Sequence, residues 1–108
     1  MATQQDANEL EANEPEVITI AIGMLDTRAL EKPAPIYPVL VDKIKLKGKT
    51  VVEVRIDQSG KVEHAAIISG HGILHQAVLK AAFQARFAPT YVQGQRVKLS
   101  GFLTYELG

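Results

Sequence analysis

RVKLSGFLTYEL, residues 96–107, is the stretch from which the fold is read. Val97, Leu99, Leu103, Tyr105 and Leu107 share one parity with Gly101, while Lys98, Ser100, Thr104 and Glu106 share the other with Phe102. Successive side chains of a strand point to opposite faces, so this alternation predicts one long strand with a core face and a solvent face. Proline is absent from it, which leaves every N–H free for a neighbouring strand. Coming last, the strand is expected at the edge of its sheet.

Working back, Gly94 shapes the turn into this strand and Pro89 ends a helix predicted over residues 73–86. Leu74, Ala77, Val78, Ala81, Ala82 and Ala85 recur at i, i+3, i+4, i+7 spacing, and the four alanines let that helix lie close to a sheet. Leu79 and Phe83 fall on its far side, to be covered by the N-terminal segment or by a second chain. Before it, Val52, Val54 and Ile56 alternate with Glu53 and Arg55, Asp57-Gln58-Ser59-Gly60 supplies turn residues, and residues 62–68 resume a β-prone run. This predicts a hairpin. Pro38 suits the first turn of a helix over residues 38–47, with Leu40, Val41 and Ile44 at helical spacing and Gly48 as a stop. Lys43, Lys45, Lys47 and Lys49 crowd its carboxyl end, where cations complement the helix dipole. Helix, strand, strand, helix, strand is an α+β order.

The chain of 108 residues suits one small core, and its lack of cysteine excludes disulfides and thiolate metal sites. The net charge of zero divides unevenly: residues 1–31 carry seven acids against Arg28, and residues 32–108 carry eleven Lys and Arg against five acids. Residues 1–16, MATQQDANELEANEPE, are acidic and without apolar periodicity, and a disordered tail is expected there. Residues 17–34 form an N-terminal extension: VITIAIGML, residues 17–25, is rich in β-branched residues and suits a short strand whose partner the sequence does not name, and prolines 33, 35 and 38 then enforce an extended link. Residues 35–108 form the folded domain. No run approaches the roughly 18 apolar residues that span a bilayer, and the amino terminus lacks the pattern of a signal peptide, so the chain as given is expected to be soluble.

Other chemistries fit poorly. His71 and His75 stand four apart with His64 on the preceding strand, but no glutamate follows His71 as HExxH requires, and a helix amino terminus disfavours a cation. Gly70 and Gly72 lack the spacing and lysine of a phosphate loop. Ser69 lies near histidines, but at a helix entry where serine is common. No enzyme, metal or cofactor is therefore expected. A basic body with Tyr37 and Tyr91 raises nucleic-acid binding as a rival reading, but the lysines concentrate on one short segment and the acidic arm competes for it, so no nucleic-acid partner is expected.

From about Pro35 to Leu107 the residues resemble the C-terminal domain of TonB-family energy transducers. The likeness rests on Tyr37-Pro38, on Gly48 followed by Val52, Val54 and Ile56, on Asp57, Gly60 and Val62 around the hairpin, and on Ser69-Gly70 before Leu74. It continues through Ala77, Leu79 and Ala81, Arg86-Phe87 with Pro89, and Gly94 before the last strand. Ile68, His75, Val78 and Phe83 depart from the residues more usual in the family. The resemblance implies a three-stranded antiparallel sheet with both helices on one face, with an extra N-terminal strand as a further option. It implies a periplasmic domain, anchored to the inner membrane in the full-length protein, of which this chain is an excised or reduced C-terminal part. It also implies that the final strand accepts the TonB box of an outer-membrane transporter as an added strand, with ExbB and ExbD supplying proton-motive energy. The peptide-binding residues implied are Val97, Lys98, Leu99, Ser100, Gly101, Phe102, Leu103, Thr104 and Tyr105. Alternatives stay open: the edge is occupied by residues 17–25 or by a second copy in a homodimer, or is merely solvated, or the fold serves as an interaction module of a non-transducer protein.

Overall fold

The computed structural model describes residues 17–107, so the tail expected over residues 1–16 lies outside the described residues. The hairpin forms as expected from β3 (Gly48–Ile56) and β4 (Val62–Ser69). Its turn is tied by the Asp57 carboxylate, whose Oδ1 accepts the Ser59 and Lys61 amides, each at 2.9 Å. Gly60 completes the turn at φ +93°, against the Phe87 carbonyl. The final strand, β7 (Gln95–Leu107), runs antiparallel to β3 from the Gly48–Leu107 pair to the Ile56–Leu99 pair.

The alternation read from the sequence holds along β7. Val97, Leu99, Gly101, Leu103 and Tyr105 are buried, and the last four sit beside Ile56, Val54, Val52 and Thr50 of β3. The long helix, α2 (His75–Gln84), packs against β3 and β4. Its buried residues Val78, Ala81 and Ala82 join Leu74 and Ala85 in one core with the strand residues. Leu79 is half-buried against this core, whereas Phe83 remains 44% exposed.

Several local expectations are corrected. The first helix, α1 (Val39–Lys43), is a little over one turn rather than residues 38–47. Lys45 adopts φ +51°, which leaves the right-handed helix, so Lys45, Lys47 and Lys49 lie beyond its end and do not serve its dipole. The second helix stops at Gln84, before Pro89 can act: Ala85 is extended, and β5 (Arg86–Phe87) pairs with β2 (Ala29–Glu31). A further short strand, β6 (Thr90–Val92), makes a hairpin with β7 through Gln93-Gly94, both at positive φ (51° and 78°), the geometry of a tight type I′ turn.

The largest correction concerns the edge. Residues 17–25 form β1 (Thr19–Met24), which lies parallel to β7, and the sheet order is β1-β7-β3-β4. The last strand of the chain is thus interior to the sheet, and of the alternatives left open for its flank it is the pairing with residues 17–25 that forms.

Candidate functional site

The candidate site is the flank of β7 that faces away from β3. Backbone groups along a strand alternate in direction, and here the even-numbered residues turn theirs toward β1: the Lys98 amide donates to the Ile18 carbonyl at 2.8 Å, and the Phe102 carbonyl accepts from the Leu25 amide at 2.8 Å. Ser100 stands between them, opposite Ala21. Below this segment, the Gln58 side-chain amide donates to the Arg96 carbonyl at 3.2 Å. Above it, the Thr104 amide donates to Asp26 Oδ1 at 3.0 Å, and the Thr104 carbonyl accepts from the Lys32 ammonium. The flank is thereby divided into a central slot at residues 98–102, held by a strand, and two ends closed by side chains.

Electrostatics favours the upper closure. Burial raises the pKa of the Asp26 carboxyl, but hydrogen bonds from Lys32 and Thr104, with the Lys32 charge, outweigh it and hold the group below its ordinary 3.8. Lys32 also lies over the Tyr105 ring, 4.6 Å from its centre. The Tyr105 phenol is pushed up to about 12, first by burial, then by the negative charge of Asp26 and by Tyr37.

The structure places the nine expected site residues on one strand, in two roles. Val97, Leu99, Gly101, Leu103 and Tyr105 look into the core, and Lys98, Ser100, Phe102 and Thr104 occupy the opposite face, half-buried. Phe102 stands beside Met24 of β1, and Lys98 Nζ is 3.0 Å from a Glu63 carboxylate oxygen. Gly101 is special: a Cβ there would lie 2.3 Å from the Gly23 carbonyl oxygen and 2.8 Å from the Leu25 side chain, so the added strand crosses β7 where no side chain intervenes. Sequence reasoning did not identify Leu25, Asp26 or Lys32 as part of this site. The β-branched run over residues 17–25 signalled the strand, but nothing in the sequence links Asp26 to a residue 78 positions away.

The three histidines do not converge among the described residues. His64 is exposed on β4, His71 Nδ1 accepts from the Ile73 amide at 3.2 Å, and His75 Nε2 sits 3.0 Å from the Gly70 carbonyl.

The fold is thus an α+β sheet covered by helices, whose long last strand is paired on one flank with β3 and on the other with β1. A sequence profile described as the Gram-negative bacterial TonB protein C-terminal matches residues 33–107, and the chain belongs to that family. Its structure is similar to the solution NMR structure of the Pseudomonas aeruginosa TonB C-terminal domain, with a TM-score of 0.63 over 80% of this chain and 92% of that one, at 21% identity. At that identity the likeness speaks for the fold. No curated protein matches the chain.

Proposed function

We propose that the chain is the periplasmic docking domain of a TonB-like energy transducer. In this reading residues Val97 to Tyr105 receive the TonB box of an outer-membrane transporter as an added strand. Force generated at the inner membrane by ExbB and ExbD, through the membrane anchor of the full-length protein, passes along that pairing. The observation supporting it is that β7 already takes an added strand, β1, on its flank opposite β3. Backbone hydrogen bonds tolerate varied partner sequences, while alternate side chains supply selectivity. The ladder of β3 with β7 spans Gly48–Ile56 and is longer than that of β1, so load entering through an added strand is distributed into the core of the sheet.

The test is an amide chemical-shift titration of the full chain with N-terminal segments of outer-membrane transporters. Movement centred on residues 97–105 is expected. A shift of some other surface while these amides stay still refutes the assignment. Ser100→Pro removes an N–H on the β1 side and is expected to abolish the titration.

A further inference from the structure

We infer that β1 is an internal occupant of the docking site and that the external segment is a short strand running parallel to β7, which binds by displacing residues 19–24 about a hinge at Gly23. The inference rests on the docking reading above and deepens it, naming the orientation of the ligand and its competitor.

Four observations carry it. The slot is bounded, because the closures at Arg96 and at Thr104 leave the span 98–102, to which β1 contributes five register pairs. The occupant is lightly held: Thr19, Ala21, Gly23 and Met24 are exposed, Ile20 and Ile22 only half-buried, and the register slips between Ala21 and Gly23. Loss of so little apolar contact distinguishes it from the core strands. The hinge is in place, since Gly23 has φ +85° with open space where a side chain would be. The anchor beyond the hinge is separate: Leu25 is fully buried, and Asp26 holds Thr104, so release stops at Met24 without opening the core. The exposed backbone of β7 would then remain shaped by its ladder with β3.

The occupant also describes what replaces it. A ligand enters in the direction of β1, with apolar side chains at the positions of Ile20 and Ile22, which pack on the core edge. Where it passes Gly101 it needs a residue that adopts positive φ, as Gly23 does, while bulk at that position meets open space. Because the internal strand is tethered, its effective concentration is high, and the apparent affinity for an external strand is scaled down by the fraction of molecules with β1 released.

The experiment uses the full chain, which has no cysteine of its own, carrying Ala21→Cys and Ser100→Cys at register partners of β1 and β7. Oxidation locks β1 in place. Two probes are titrated into labelled protein: a synthetic peptide of residues 17–26 with terminal lysines for solubility, and an N-terminal segment of an outer-membrane transporter. In the reduced protein the first peptide is expected to shift Lys98, Ser100 and Phe102, and a spin label at its amino end to broaden Lys98 more than Phe102. Oxidation is expected to weaken both peptides at least about tenfold, and Ile20→Asp in the cysteine-free chain to strengthen them by roughly that factor. Equal binding to oxidised and reduced protein overturns the inference, as does broadening strongest at Phe102, or oxidation that yields only disulfide-linked dimers. If the transporter peptide binds but ignores the lock, the docking reading survives and this inference falls. If only the β1 peptide exchanges, the inference stands and the transporter reading falls.

Discussion

Replacing Asp26 by alanine isolates the closure of β7 beyond the reach of β1. Asp26 Oδ1 accepts the Thr104 amide at 3.0 Å and the Thr104 hydroxyl at 3.3 Å, and pairs with Lys32. The Asp26 and Lys32 side chains are 23% and 29% exposed, so the group is neither dry nor fully screened. Truncation leaves the Thr104 amide without its acceptor and Lys32 without its counter-charge. An unpaired, partly buried donor costs about 1–3 kcal/mol, and an ion pair this accessible adds roughly 0–1 kcal/mol. The expected loss is therefore about 2 kcal/mol, or roughly 8–16 °C in Tm for a domain of this size. Asp26→Asn keeps an acceptor oxygen but not the charge, and is expected to cost about half as much. The two variants also differ from the parent in pH dependence. A carboxyl whose folded pKa lies below its ordinary 3.8 contributes its stabilisation in full above that value and loses it as pH falls through the folded value. The stability gap between parent and Asp26→Asn is thus level from neutrality to about pH 4 and narrows below it. Urea unfolding followed by circular dichroism across that range measures both effects. A loss under about 0.5 kcal/mol for Asp26→Ala, or a gap that does not narrow in acid, refutes the role of the carboxylate as a strand closure.

Other substitutions probe the frame that holds the site. Gly60→Ala places a Cβ 1.8 Å from the Phe87 carbonyl oxygen at φ +93°, and calorimetry is expected to show a loss of at least about 2 kcal/mol. Leu103→Ala empties a position with 0% exposure at the centre of β7, and its expected cost in denaturant is about 2–5 kcal/mol. Gln93→Asn, at φ +51° in the β6–β7 turn, is expected to stabilise by about 0.5 kcal/mol because asparagine tolerates that conformation better, raising Tm. Tyr105, raised to about 12, favours its neutral form in the fold, so stability is full below about pH 10 and declines as pH climbs toward the folded value. Absorbance near 295 nm in the parent and Tyr105→Phe is expected to show that phenolate appearing last and together with unfolding.

Much of this architecture is written in local pattern. The burial of Val97, Leu99, Leu103 and Tyr105 follows from the two-residue period of a strand, and the hairpin after Ile56 follows from Asp57 and Gly60, whose side-chain and backbone properties act within a few positions. The alanine face of α2 follows from helical spacing in the same way. Where the local signal was cooperative only with distant chain, it misled: Leu40, Val41 and Ile44 suggested a longer first helix, but Lys45 turns out of it, and Arg86 leaves the second helix to join Phe87 in pairing with Ala29–Glu31. The identity of the strand beside β7 was beyond local pattern altogether. Pairing is made by backbone N–H and C=O groups that every residue but proline carries alike, so the run VITIAIGML states that it can be a strand and which of its faces is apolar, without stating its neighbour or direction. Those follow from where the folded core leaves an unpaired flank, from the close approach that Gly101 permits to Gly23, and from Leu25 and Asp26 fastening the end of that segment to β7. Residues 96–107 announced themselves as a strand from their side chains; that their outer flank is already filled, in parallel and by their own chain, is a property of the assembled fold.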